Sequence, residues 1–187
     1  MCSECYNELN HLPLNPQRVV EGKKVFCAGV YSKNLQKLIR GLKYHNQRDL
    51  AYYLAKFMYD YWSQLTDRSD FEIIPVPIFP KREKQRKYNH MDLVGEEFCK
   101  LTGNTLNKNL IKRIKNTKPQ YNLKRHERMA NLCDAFQVNK ENYHGKTLVL
   151  IDDICTTGST FEEMIKELRR AGIEKIVCFA ATTPFGE

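Results

Sequence analysis

Two spacings of apolar residues alternate along this chain, one suited to strands and one to helices. Lys24 to Tyr31 carries Val25, Phe26, Cys27, Ala28, Val30 and Tyr31 in close succession, which predicts a strand or one arm of a hairpin. The spacing then turns helical. Leu35, Leu38, Ile39 and Leu42 form one face of a helix that Ser32 is placed to cap and that ends near Lys43-Tyr44-His45-Asn46. From about Asp49 to Leu65, eight apolar or aromatic residues, Leu50 and Trp62 among them, fall at helical intervals and predict a longer, core-packed helix rather than a base-stacking surface. Phe71 to Pro77 reads as a strand whose prolines limit further pairing, Asp92 to Leu101 as a helix closed by Gly103, and Asn107 to Ile114 as another strand. Lys115 to Asn122 is polar and fits a flexible loop able to fold over a ligand, and Lys124 to Asp134 a short helix leading into Ala135-Phe136-Gln137-Val138.

The last third of the chain sets the fold class. Leu148 to Ile151 is wholly apolar, as expected of a strand buried on both faces, and Phe161 to Ala171 places Phe161, Met164, Ile165 and Leu168 on one helical face before Gly172. Ile176 to Ala181 is a second buried strand. Strand, helix and strand in succession form a βαβ unit, so the chain is α/β, with an open, mostly parallel twisted sheet and helices on both faces.

Candidate chemistry sits at that unit. Asp152 and Asp153 follow the strand directly, and Thr156, Thr157, Gly158, Ser159 and Thr160 open the helix. Parallel sheets bind ligands beyond the carboxyl ends of their strands, where the chain can turn and aim both acids at one ligand. Ionised carboxylates only accept hydrogen bonds, so a vicinal diol such as ribose complements them. Amides at a helix start, four hydroxyls and a close backbone approach at Gly158 suit a phosphate. Diol plus phosphate is ribose 5-phosphate. Upstream, Lys81, Arg82, Lys84, Arg86 and Lys87 crowd into an expected loop before His90, either as a solvated surface or as a clamp for a pyrophosphate leaving group.

Composition narrows the setting. With 187 residues, 42% hydrophobic and 28% charged, the chain has enough apolar material for one full core, which excludes a disordered protein. A net charge of +8 favours an anionic partner without choosing among nucleic acid, acidic surface and polyphosphate. No apolar run approaches the roughly 20 residues of a membrane span, and no signal peptide is evident, so no membrane insertion and a cytoplasmic location are expected. Seven cysteines argue for reduced thiols rather than a disulfide framework. Cys2 and Cys5 form one C-x-x-C pair, half of a structural zinc site.

The run from Leu148 to Thr160, four apolar residues, two acids and Thr-Thr-Gly-x-Thr, resembles the phosphoribosyl diphosphate (PRPP) signature of type I phosphoribosyltransferases. Tyr31 with Leu42-Lys43-Tyr44, Pro75-Val76-Pro77, Arg86-Lys87-Tyr88-Asn89-His90, Gln120 with Leu123, Arg128 and Asn131, and Ala135-Phe136 together resemble the ComF family within that superfamily. Two positions depart from the family pattern: Lys87 stands where a glycine is usual and His90 where a glutamine is. The family also tends to begin with two C-x-x-C pairs, so residues 1–23 are expected to be the remnant of a zinc-ribbon-like module and 24–187 the phosphoribosyltransferase-like domain. The resemblance implies PRPP and Mg²⁺ as ligands, Zn²⁺ at Cys2 and Cys5, and a role in DNA uptake and natural transformation, with single-stranded DNA and a competence ATPase or helicase as partners. Two function classes follow: a Mg²⁺-dependent phosphoribosyltransferase of unknown acceptor, or a non-enzymatic DNA-binding accessory factor that keeps the pocket as a structural or regulatory site.

Overall fold

The two apolar runs of the last third lie side by side at the centre of a six-stranded sheet. The computed structural model describes residues 3–66, 70–116 and 133–184. Its elements are α1 (Ser3–Asn7), β1 (Arg18–Val20), β2 (Lys23–Val30), α2 (Lys33–Tyr44), α3 (Leu50–Leu65), β3 (Phe71–Pro75), α4 (Pro80–Arg86), α5 (His90–Thr102), β4 (Thr105–Leu106), β5 (Ile111–Arg113), β6 (Phe136–Val138), β7 (Thr147–Ile154), α6 (Ser159–Arg170) and β8 (Ile176–Thr183). The sheet order is β1-β2-β8-β7-β3-β4, with a separate β5-β6 ribbon. All pairings in the large sheet are parallel except the β1-β2 hairpin.

Strand periodicity divides the core into two layers. Leu148 and Leu150 of β7 point to one face, where Phe161, Met164, Ile165 and Leu168 of α6 cover them together with Ile111 and Phe136 of the ribbon. Val149 and Ile151 point to the other, against α2, α3 and α5. The aromatic stripe of α3 is core, as its spacing predicts: Phe57, Tyr61 and Trp62 are at most 4% exposed, and Trp62 packs edge-on against Phe71 and Phe98.

Several expectations change in detail. The basic run is helical, not a loop: Pro80 occupies the first turn of α4, where its missing N–H costs nothing, and the following Lys, Arg, Glu and Gln residues favour helix. The helix stops at Lys87, which adopts the left-handed region at φ 68°. The strand expected over 107–114 is interrupted because the Asn107 carboxamide oxygen accepts from the Asn109 and Leu110 amides, forming a turn between β4 and β5. Of the N-terminal residues described, Ser3–Asn7 form a helix docked on α3 through Tyr6 Oη, which donates to Asp60 at 2.9 Å, and His11, beyond it, stacks on Phe57. The loop expected over 115–122 and the helix over 124–134 fall outside the described residues, apart from 115–116 and 133–134.

Candidate phosphoribosyl site

β7 runs three residues further than its apolar pattern suggests, to Ile154, so Asp152 and Asp153 lie within the strand instead of beyond it. Adjacent strand residues face opposite ways. Asp152 therefore projects toward the α6 side of the sheet and Asp153 toward α2 and α5. Their neighbours differ accordingly.

Asp153 is 3% exposed and occupied. Its Oδ2 receives Lys43 Nζ from the last turn of α2 at 2.5 Å and His90 Nε2 from the first turn of α5 at 3.1 Å. Burial opposes the charge on Asp153, but Lys43 and His90 outweigh burial and hold its carboxyl well below the usual range. Burial acts the other way on His90 and lowers its pKa against the pull of Asp153. His90 Nδ1 has no hydrogen-bond partner among the described residues. The ring is placed by Asn89, whose carboxamide donates to the Val76 carbonyl at 3.2 Å and accepts from the Met91 amide at 3.1 Å, capping α5 onto the end of β3.

Asp152 is only partly buried, and its Oδ1 accepts the Asp153 amide at 2.9 Å. Burial, reinforced by the negative charge of Asp153, raises its pKa well above the ordinary carboxylate value. Lys43 pulls the other way, and the charge of Asp152 in turn favours that of Arg113.

The loop after β7 turns sharply at Gly158, φ 83°. A Cβ there would lie 2.7 Å from Val20 Cγ2 in β1, so the hairpin roofs this turn and only glycine fits under it. The first helical hydrogen bond of α6 runs from Glu162 N to Gly158 O, leaving the Thr160 and Phe161 amides ahead of the intrahelical ladder, while the Ser159 amide donates to Thr157 Oγ1 at 3.4 Å. Thr157 Oγ1 and Ser159 Oγ lie 2.7 Å apart and brace the turn.

These parts meet in one cleft at the carboxyl end of the sheet, a cavity of about 1080 Å³ whose walls include both acids, Thr156 and Thr160. A small concavity inside the turn, lined also by Thr157, Gly158 and Ser159, shares Asp152, Ile154, Thr156 and Thr160 with it. Of the expected basic clamp, Arg82 and Arg86 line the cleft, one helical turn apart on α4. Lys81 and Lys84 do not. They are exposed on the same helix, away from the cleft lining. Lys43 and Arg113 also line the cleft. Arg113 is 9% exposed, and burial with the nearby charge of Arg82 lowers it to about 10. Its signal in the sequence is strand alternation: Ile111 and Arg113 share the inward face of β5 while Lys112 points out, and an inward arginine is rarely structural filler. Lys43 carries no such mark, because the α2–β7 contact depends on the fold.

The zinc expectation has no support among the described residues. Cys2 lies outside them, and Cys5 is exposed and belongs to no cluster of metal-ligating side chains. No helix among the described residues is long and apolar enough to cross a membrane.

Comparison with known proteins agrees with this geometry. A phosphoribosyl transferase domain is recognised over residues 102–183. "Competence protein F" of Haemophilus influenzae is 31% identical over 94% of this chain and 81% of its own length. "DNA utilization protein YhgH" of Salmonella typhimurium is 27% identical over 92% of this chain and 79% of its own, and "Competence protein ComFC" of Bacillus subtilis 24% identical over 70% and 51%. Among solved structures, the allosteric regulatory enzyme of purine biosynthesis superposes with a TM-score of 0.50 at 13% identity, over 79% of this chain and 31% of that one, a likeness of fold alone. Strand order, the acid pair, the hydroxyl turn and a relative of this identity and coverage converge on one assignment: the chain belongs to the ComF family of competence and DNA-utilisation proteins and carries its phosphoribosyltransferase domain.

Proposed function

We propose that this protein binds PRPP together with Mg²⁺ in the cleft and acts as a phosphoribosyltransferase in the handling of DNA during uptake. The observation that supports this most is continuity. A hydroxyl-and-amide turn, a partly buried carboxylate, and two arginines one helical turn apart line a single cavity. The turn from Thr156 to Thr160 receives the 5-phosphate on its amides and hydroxyls. Asp152 accepts hydrogen bonds from the ribose hydroxyls, while Asp153, held by Lys43 and His90, fixes the floor beneath the sugar. Arg82, Arg86 and Arg113 face the diphosphate, whose bond to the anomeric carbon breaks with the electron pair leaving on oxygen; positioned cations stabilise that developing charge.

The residues fit a magnesium ion. Mg²⁺ is commonly bound through one or two carboxylates plus substrate phosphates, and Asp152 is a carboxylate lining the cleft. Bound there, the ion would neutralise diphosphate and carboxylate charge together.

Calorimetric titration with PRPP, with and without Mg²⁺, tests the reading. Binding that needs Mg²⁺ and is lost in Asp152→Asn supports it, and no binding under either condition rejects it. The accessory-factor reading draws on the relatives named for competence and DNA utilisation and on the excess of cations in the cleft. It predicts PRPP binding without pyrophosphate release in the presence of any nucleobase or DNA acceptor.

A further inference from the structure

Two thiols meet behind the phosphate turn. Cys155 sits between the acid pair and the hydroxyls, is 3% exposed, and lines the small concavity inside the turn. Its amide donates to the Thr182 carbonyl at 2.8 Å, which holds the start of the turn against β8. Cys27, on β2, is fully buried in the same core cluster. The two side chains are in hydrogen-bond contact, and both thiols are reduced.

The pair is asymmetric. Contact with Cys155, and then burial, hold the Cys27 thiol well above its usual range, so Cys27 keeps its proton and donates to the Cys155 sulfur. Cys155 instead leads into the N-terminus of α6, whose first amides favour negative charge. Arg18 adds a cation from the β1-β2 hairpin: its Cδ lies 3.7 Å from the position of a Cβ on Gly158, and its charge reaches Cys27. Complete burial would make such a pair inert, but Cys155 opens on a concavity of about 20 Å³, room for a molecule near the size of water. Cys178, fully buried on β8, also feels the charge of Cys155, but Cys27 is the thiol in contact.

We infer that Cys27 and Cys155 form a peroxide-sensitive dithiol whose oxidation displaces the phosphate turn. The Cys155 sulfur attacks hydrogen peroxide in the concavity; the O–O bond breaks, one oxygen stays on sulfur as the sulfenic acid, and the other leaves as water. The Cys27 sulfur then displaces the sulfenic hydroxyl, which takes the Cys27 proton and leaves as a second water. Two thiols and one peroxide thus give one disulfide and two waters. An S–S bond of about 2 Å is shorter than any non-bonded sulfur contact, so closing it draws Cys155 toward β2 and shifts the residues that follow. Two cysteines that only fill the core would account for the contact but not for one of them opening on the anion concavity. The inference goes beyond the phosphoribosyl reading and rests on it only for the consequence for PRPP.

Peroxide treatment of the full, unaltered chain tests it, with peptide mapping under non-reducing conditions because the exposed Cys5 and Cys133 will oxidise as well. The expected result is a Cys27–Cys155 link that forms in the folded chain and is reversed by dithiothreitol. Cys27→Ala, which removes the second thiol, should instead leave a sulfenic acid on Cys155 that dimedone traps. PRPP affinity of the linked chain should fall roughly ten-fold and recover on reduction, as expected when a phosphate site is misplaced. Absence of the link, a Cys155–Cys178 link in its place, a link that appears only after unfolding, or unchanged PRPP affinity in the linked chain overturns the inference. Should the link form while the reduced chain fails to bind PRPP, the phosphoribosyl reading falls and the thiol pair stands as a modification site. PRPP binding by a chain that never forms the link rejects the pair and leaves the phosphoribosyl reading in place.

Discussion

Replacing Lys43 by methionine probes the interaction that distinguishes the two acids. The substitution keeps the apolar stem and removes the charge that meets Asp153 Oδ2 at 2.5 Å. At an effective dielectric near 20 the gross attraction across that distance is about 6–7 kcal/mol, most of which the desolvation of both groups cancels. Removing one partner of a buried pair costs about 3–5 kcal/mol, and the 20% exposure of the Lys43 side chain places the expected loss near the lower end, about 3 kcal/mol at pH 8. With a urea slope of about 2 kcal/mol/M, the unfolding midpoint should fall by roughly 1.5 M. His90 modifies the result. Its pKa is lowered by burial and, among charges, by Lys43 and Arg86, so losing Lys43 raises it beside Asp153. In the unaltered chain burial lowers the folded pKa of His90, so its neutral ring costs stability as pH falls below the unfolded value, and a smaller lowering costs less. The deficit of Lys43→Met should therefore be smaller near pH 5 than at pH 8. Lys43→Met combined with Asp153→Asn should unfold within about 1 kcal/mol of the unaltered chain at pH 8, since no uncompensated charge remains. A single-variant loss under about 1 kcal/mol at pH 8, or a deficit independent of pH, would refute the argument.

Other substitutions test neighbouring parts of the site. Asp152→Asn should abolish Mg²⁺-dependent PRPP binding with little change in the unfolding midpoint, whereas Asp153→Asn should first appear as a stability change, read by comparing calorimetry with urea titration. Gly158→Ala, which requires a Cβ 2.7 Å from Val20 Cγ2 at φ 83°, should cost about 1–3 kcal/mol and weaken PRPP by more than the loss of fold explains. Lys87→Gly removes a left-handed non-glycine residue and should raise stability by about 0.5–1 kcal/mol after the entropy of the unfolded glycine is counted, measured by thermal unfolding. Acid titration should show a further loss: because the Asp153 carboxyl is depressed, its contribution is complete above the unfolded value near 4 and disappears as pH falls below it.

The elements most legible in the sequence are those whose burial is set by period alone. The apolar run of β7, the stripe of α3 and the α6 face each announce their partner layers, and the hydroxyl turn announces an anion. The basic run is legible as charge but not as shape, because Pro80 reads equally as a turn or a first helical residue until the chain around it is placed. Once α4 forms, its period separates Arg82 and Arg86 from Lys81 and Lys84, a division that a loop would not make. Lys43 is not legible as a site residue because it reaches the cleft only through a non-local contact, α2 crossing the end of β7, whereas Arg113 is legible as an inward arginine but not as a wall of this cleft, which the β5-β6 ribbon decides.

The same dependence on fold explains why two adjacent aspartates, identical as a motif, are unequal as chemistry. A strand repeats every two residues, so extending β7 through Asp153 sends one carboxyl to the layer that contains Lys43 and His90 and the other to the layer that ends in the phosphate turn. The first is driven down and held, and the second is driven up by burial and by its neighbour's charge. His90 stands where the family pattern has glutamine, and an amide there would also hold the Asp153 oxygen, but without a proton to gain. This chain therefore ties the geometry of its acid pair to a titratable ring. Lys87, three residues earlier, keeps the left-handed turn that a glycine would adopt freely, since that turn aims Tyr88 Oη at the Leu42 carbonyl at 2.6 Å and so fixes α2, with Lys43 and Tyr44, over the cleft.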